Sequence, residues 1–303
     1  MGPTAVGKTA LAVNIASRLP VDVISVDAAQ VYRAMDIGTS KPTAEILERV
    51  PHMLIDICEP WERYSAGRFR KDALTCIDNT LQSGRVPLLV GGTMFYFKAL
   101  ADGLSDLPQA SKEFADELEQ AARMYGWPHL HEELRDIDPD TASKISPNDA
   151  QRIHRLLQIY RLRGIRPSEL MRTSQPDPLP YEILKVAVIA SNRQNLKTLI
   201  EHRFCNMLER GFLREAQTLF SSPNFDRSLP AMRSVGYKQA WQYLDGEINK
   251  DELIKNVVTA TCNLAKRQLT WIRSIADVFW ITQDLTEQTE SICTLYENFQ
   301  PFK

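Results

Sequence analysis

At 303 residues, 44% apolar and 24% charged, the chain has the composition of a soluble globular protein with one large or two ordinary domains. Thirty-six lysines and arginines against 38 acids leave a net charge of −2, so nucleic-acid binding must come from local patches rather than a global field. No apolar run reaches membrane-spanning length and no signal-peptide pattern opens the chain, so a cytoplasmic protein is expected. Cys58, Cys76, Cys205, Cys262 and Cys293 lie far apart with no C-x-x-C, which fits reduced thiols, and neither they nor the five histidines have zinc-type spacing.

Residues 2–9 read Gly2-Pro3-Thr4-Ala5-Val6-Gly7-Lys8-Thr9, a complete G-x-x-x-x-G-K-[ST] phosphate loop. The glycines let backbone N–H groups turn inward on an anion. Lys8 adds a compact positive charge, and the Thr9 hydroxyl suits Mg²⁺. Leu11, Ile15 and Leu19 then share one helical face until Pro20 stops the run, which sets the loop at a helix N-terminus. Such a loop normally follows a buried strand, yet only Met1 precedes Gly2. The first strand is therefore expected to be missing from this chain.

Val23–Val26, Met53–Ile57 and Val86–Val90 read as strands alternating with helices, which predicts a parallel α/β sheet. Ligands of such sheets sit beyond the carboxyl ends of the strands, so Asp27 and Gly91-Gly92-Thr93 share a rim with the phosphate loop. Asp27 there suits a general base or a Mg²⁺ ligand, or else a helix N-cap. Motor NTPases end the strand at 86–90 in an acid for Mg²⁺; this one ends in two glycines and a threonine, which disfavours a motor and fits close backbone approach to a small substrate.

From about 108 to 177 the pattern turns helical, with Ser111–Tyr125, Pro128–Asp136 and Ala150–Arg163 as helices. This predicts a helical insert at 108–177 within an α/β core made of 1–107 and 178–303. Residues 151–172 hold six arginines (152, 155, 161, 163, 166 and 172) against Glu169 alone, which suits RNA phosphates or a solvated helix face. Leu184–Ile189 reads as a strand and Gln194–Arg210, Leu213–Phe220 and Lys250–Arg273 as helices; a last strand, Val278–Ile281, precedes a polar tail. Arg203, a lone cation on an apolar helix, reads by default as a snorkelling surface residue. Lys266-Arg267-Gln268-Leu269-Thr270-Trp271-Ile272-Arg273 mixes cations with an aromatic, as base-stacking surfaces do, and as amphipathic helices do.

Taken together, these stretches resemble the tRNA dimethylallyltransferases. The matching segments are Gly2–Thr9, Ile24–Asp27, Val31–Pro42, His52–Pro60, Leu88–Lys98, Asn148–Arg152, Arg233–Tyr237 and Lys266–Arg273, in the family's order along nearly the whole chain. Two departures stand out: the absent first strand, and Ala28-Ala29 where bacterial members often carry a serine. The resemblance implies a P-loop NTPase-like fold and transfer of a dimethylallyl group from dimethylallyl diphosphate to N6 of adenosine 37 in the anticodon stem-loop of tRNA. It implies that Gly2, Pro3, Thr4, Ala5, Val6, Gly7, Lys8 and Thr9 hold the diphosphate with Arg203, that Thr9 carries Mg²⁺, and that Lys8, Thr9 and Asp27 are catalytic, Asp27 as the base. It further implies tRNA contacts from Asp27, Ala28, Ala29, Gln30 and Thr93. Others fall on Gln151, Arg152, Ile153, His154 and Arg155, on Met232, Arg233, Ser234, Val235, Gly236 and Tyr237, and on Ala265, Lys266, Arg267, Gln268, Leu269, Thr270, Trp271 and Ile272. A monomer acting on tRNA away from membranes is the expectation. Two rivals are an ATP-dependent small-molecule kinase, which shares the loop, the strand-end acid and the Gly-Gly turn, and a non-catalytic tRNA-binding factor, against which the intact loop and Asp27 argue.

Overall fold

A computed structural model describes residues 1–104, 112–173, 179–282 and 284–299. In chain order the elements are α1 (Lys8–Ala16), β1 (Val21–Val26), α2 (Ala44–Arg49), β2 (His52–Met53), α3 (Ala66–Gln82), β3 (Val86–Gly91) and α4 (Met94–Ala101). Five helices follow: α5 (Lys112–Tyr125), α6 (Trp127–Ile137), α7 (Pro139–Ala142), α8 (Ala150–Arg163) and α9 (Pro167–Thr173). The chain then forms β4 (Lys185–Val188), α10 (Arg193–Glu209), α11 (Phe212–Phe220), α12 (Tyr237–Leu244), α13 (Lys250–Arg273), β5 (Val278–Ile281) and α14 (Leu285–Asn298). They fall into two compact units, Met1–Ala101 with Leu179–Lys303, and Asp102–Pro178. The sequence-based boundaries at 107/108 and 177/178 and the helix start at Ser111 lie outside the described residues. Among the described residues no helix is long and apolar enough to cross a membrane.

The first unit is α/β. β1 lies between β2 and β3, parallel to both, and β4 and β5 form a separate parallel pair. Among the described residues no strand precedes the phosphate loop. Met1 instead lies along β4, its nitrogen donating to the Val186 carbonyl at 2.7 Å and its carbonyl accepting from the Val188 N–H at 2.9 Å. β1 is apolar and buried at Val21, Val23, Ile24 and Val26, as a strand covered on both faces must be. Gly91, paired with Val26, allows β3 to come this close: a Cβ there would lie 2.0 Å from the Val26 carbonyl oxygen.

Two expected elements differ. The strand read at Met53–Ile57 is only His52–Met53, because Leu54 and Asp56 take left-handed backbone angles (φ 64° and 55°) that end the ladder. The polar tail is helical: the Asp284 carboxylate caps α14 by accepting from the Thr286 and Glu287 N–H groups. Ile292 then packs with Leu11 and Ile15 of α1. Ile292, with the partly buried Leu295 beside it, is enough to seat one face of a mostly polar helix, a pattern its composition hides.

The second unit is helical throughout its described elements. Leu118, Leu130, Leu134, Ile153, Leu156 and Leu157 make its own core, drawn from α5, α6 and α8. Asp138 ties α7 to α9, accepting from Thr141 N–H and hydroxyl and from the Ser168 N–H at 2.7 Å.

Candidate active site

The phosphate loop, the end of β1, the turn after β3 and the helices α10 and α13 surround one cavity of about 680 Å³. α1 begins at Lys8 after Gly7, whose φ of 82° only glycine adopts freely, and no side chain caps it. Its first N–H groups therefore remain available to an anion, with the helix dipole behind them. Thr4, Ala5, Gly7, Lys8 and Thr9 line the cavity. Gly2 and Pro3 are buried beneath it, and Val6 packs into the apolar clusters on either side.

Arg203 also lines this cavity and is no surface residue. α10 buries Ile200, Phe204 and Met207, and that face carries the Arg203 guanidinium to the loop, where it donates to the Thr4 hydroxyl at 3.0 Å. The Lys8 ammonium donates to the Pro3 carbonyl at 2.6 Å. Burial pushes the Lys8 pKa down to about 8; the Arg203 charge pushes the same way and Asp27 opposes them. Burial lowers the Arg203 pKa as well, again against Asp27. Two half-buried cations that repel each other make this end of the cavity suited to a multivalent anion. The lining also includes Arg233 and Arg267, so four cations face one carboxylate, Asp27.

Asp27 is half-buried at the end of β1. Its Oδ1 accepts from the Ala29 N–H at 2.8 Å and the Gln30 N–H at 3.2 Å, so it caps a turn and not a helix. Thr93 fastens the same turn, accepting from the Ala28 N–H at 3.0 Å. Gln30 donates its side-chain amide to the carbonyls of Thr39 and Ser40. Ala28, Ala29, Gln30 and Thr93 all line the cavity. β3 ends at Gly91 with no carboxylate, so the strand-end acid of motor NTPases is absent from this rim.

Two groups that sequence reasoning missed hold the loop after Gln30 in place. Glu215 of α11 accepts from three successive backbone N–H groups, Asp36, Ile37 and Gly38, at 2.7–2.9 Å, and from the Tyr237 hydroxyl at 2.6 Å. Lys41, its side chain only 3% exposed, donates to Asp36, Asp56 and the Tyr32 carbonyl. These clamps present Gly38, Thr39 and Ser40 to the cavity.

The remaining expected residues divide by burial. Arg233, Ser234, Val235 and Gly236 line the cavity, whereas Met232 and Tyr237 are core. On α13, Arg267, Gln268 and Trp271 line it and Lys266 and Thr270 are exposed. Ala265 and Ile272 are buried, and Leu269 packs against Leu196 and Ile200. In the helical unit Gln151 and Arg152 are exposed, His154 and Arg155 half-buried, and Ile153 core. Arg152 pairs with Asp149 at 3.4 Å, and burial lowers the Arg155 pKa. Among the described residues no cluster of three acids, histidines or cysteines forms a metal site.

A sequence profile of the IPP transferases matches residues 30–275. The chain belongs to the IPP transferase family. It is a transferase, and known structures agree. It is 36% identical to the full-length tRNA isopentenylpyrophosphate transferase of Bacillus halodurans, over 98% of this chain and 94% of that one, with a TM-score of 0.72. The tRNA delta(2)-isopentenylpyrophosphate transferase of Staphylococcus epidermidis is 29% identical over 98% and 97%, with a TM-score of 0.71. A eukaryotic dimethylallyltransferase captured acting on tRNA is 26% identical, over 100% of this chain and 79% of that one, with a TM-score of 0.80. The profile match begins after the phosphate loop, so loop and profile are separate indications.

Proposed function

We propose that this transferase moves a dimethylallyl group from dimethylallyl diphosphate to the exocyclic N6 of adenosine 37, beside the tRNA anticodon, and releases diphosphate. The observation that carries the reading is the shared cavity: a phosphate loop with two converging cations and, facing them, a strand-end carboxylate. In the reaction N6 bonds to C1 of the dimethylallyl group as the C1–O bond to diphosphate breaks. The N6 proton passes to Asp27, whose Oδ1 is fixed by the Ala29 and Gln30 amides. Lys8, Arg203 and the first N–H groups of α1 hold the charge gathering on the departing diphosphate.

The Thr9 hydroxyl and the Asp27 carboxylate both line the cavity, and no three-acid cluster stands beside them. That donor set fits Mg²⁺, which keeps waters and takes one or two protein ligands plus phosphate oxygens. Bound there, Mg²⁺ would neutralise diphosphate charge.

RNA contacts would fall to groups that line the cavity or lie at the surface of α13 or of the helical unit. Thr93 and the Asp27–Gln30 turn would position the adenine after it leaves its stack. Arg233, Lys266, Arg267 and Trp271 would grip the anticodon loop, and Arg152 and Arg155 of the helical unit the phosphate backbone. One chain supplies every group named, which fits a monomer, and a tRNA substrate fits a cytoplasmic enzyme.

The test is incubation with bulk tRNA and either dimethylallyl diphosphate or ATP, followed by nucleoside mass spectrometry. Isopentenylated adenosine in the first arm and no ATP consumption in the second are expected. Phosphate transfer from ATP would restore the kinase reading, and tRNA binding without either reaction the binding-factor reading.

A further inference from the structure

The resemblance puts Gln268 among residues that grip RNA. Its surroundings give it different work. Gln268 is only 9% exposed although Lys266, Arg267, Thr270 and Trp271 around it on α13 are exposed. Its Oε1 accepts from the Thr4 N–H of the phosphate loop at 2.9 Å, and its Nε2 donates to the Gly92 carbonyl at 2.7 Å. One amide thus bridges the anion cradle and the turn that carries Thr93, across 264 and 176 residues of sequence. Both bonds are long-range and largely shielded from water, where a lost partner leaves a buried polar group unmet.

The fit is tight on both sides. A Cβ on Gly92 would lie 2.6 Å from Nε2 of Gln268 and 3.3 Å from the Gly2 carbonyl oxygen. The second glycine of the turn therefore makes room for this amide. Thr4 is held twice, its N–H by Gln268 and its hydroxyl by Arg203, so the near side of the loop is fixed by α13 and α10 together. The preceding residue, Arg267, and the residue one turn on, Trp271, line the cavity and are exposed. The same helix segment thus lines the cavity and ties down the phosphate loop.

We propose that Gln268 is a positioning residue for the diphosphate substrate: it sets the phosphate loop against the Gly92–Thr93 turn and makes no contact with RNA. This rests on the transfer reading for the identity of the anion and the acceptor. Gln268→Leu removes both bonds. Gln268→Glu is nearly isosteric and retains the acceptor for the Thr4 N–H while setting a carboxylate against the Gly92 carbonyl. Gly92→Ala displaces the same amide from the other side.

The measurements are Km for dimethylallyl diphosphate and for tRNA, calorimetric binding of inorganic diphosphate without RNA, binding of a labelled anticodon stem-loop, and melting temperature. Gln268→Leu is expected to raise Km for dimethylallyl diphosphate and Kd for diphosphate by roughly ten-fold or more, the effect of two lost buried hydrogen bonds. Stem-loop affinity should stay within about two-fold on the same grounds. Gln268→Glu and Gly92→Ala should lie between Gln268→Leu and wild type, and carry the test if Gln268→Leu does not fold. Weakened RNA binding with unchanged diphosphate affinity would overturn the proposal in favour of direct RNA contact. Unchanged affinity for both would overturn it outright. Diphosphate binding needs neither tRNA nor turnover, so a failure of the transfer reading shows separately, as wild-type protein that binds diphosphate and modifies no adenosine.

Discussion

The Lys8 ammonium donates to the Pro3 carbonyl five residues back, so the phosphate loop closes on its own lysine. The charged ammonium has two further N–H donors to offer a diphosphate, and on the proposed reading it must be charged to bind one. Its pKa in the free protein is about 8, held down first by burial and then by Arg203. Below pH 8 the charged form dominates and binding needs no proton. Above it the neutral form dominates, and each bound diphosphate must bring a proton to Lys8. The expected result is kcat/Km for dimethylallyl diphosphate that is level up to about pH 8 and falls by up to about ten-fold per pH unit beyond. kcat, which reports the complex with its added negative charge, should break at higher pH. A pH–rate profile at saturating tRNA checks this, and an identical break in both parameters would contradict it.

Asp27→Asn separates the two jobs of this side chain. Asparagine retains an Oδ1 acceptor for the Ala29 and Gln30 amides, so the turn should hold. It cannot take the N6 proton. Single-turnover transfer is expected to fall about 10²–10⁴-fold while tRNA affinity survives. A near-wild-type rate would remove Asp27 from the base role.

Glu215→Gln tests the clamp on the 36–38 segment. A glutamine has one acceptor oxygen where the carboxylate has two, and its NH₂ would face backbone donors. The variant is expected to lose about 2–3 kcal/mol in denaturant titration, whereas Tyr237→Phe, which deletes a single bond to the carboxylate, should lose about 1 kcal/mol. Transfer should fall with the first change more than with the second, since Gly38, Thr39 and Ser40 line the cavity. Equal losses would place the stability in the Tyr237–Glu215 hydrogen bond and not in the three backbone bonds.

The helical unit makes a prediction in salt. If Arg152 and Arg155 neutralise RNA phosphates, the double alanine variant loses roughly 0.7–0.9 in the slope of log K against log salt for each contact. Its Km for tRNA should rise and its Km for dimethylallyl diphosphate should hold. tRNA affinity at several salt concentrations gives the answer, and an unchanged slope would leave these arginines as a solvated helix face.

Much of the site was legible in the sequence because its chemistry is local. The glycines and Lys8 of the loop, Asp27 at a strand end and the Gly-Gly-Thr turn each announce themselves within a few residues, and the rule for parallel sheets places them on one rim. Arg203 was not legible from its neighbours. Its default reading as a surface residue followed from α10 alone, and only the packing of Ile200, Phe204 and Met207 turns it toward Thr4. The roles of Glu215 and Gln268 escaped for the same reason: their main-chain partners lie 176 or more residues away, and an unremarkable glutamate or glutamine on an amphipathic helix carries no local signal. Family resemblance named Gln268, yet without its buried partners the resemblance could not separate an RNA contact from a brace.

The α/β unit closes its own gap. The Leu179 N–H donates to the Ala101 carbonyl at 3.2 Å, so the chain leaves the core and re-enters it at one hydrogen-bonded neck. To the core, everything from 102 to 178 is a single excursion. Loop-closure entropy grows only with the logarithm of length, so doubling such an excursion costs the core about 0.6 kcal/mol. The helical unit, with its own apolar centre, can therefore lengthen, shorten or change its charge with little effect on the cavity of the α/β unit. Change in the one unit can then proceed almost independently of change in the other within one polypeptide.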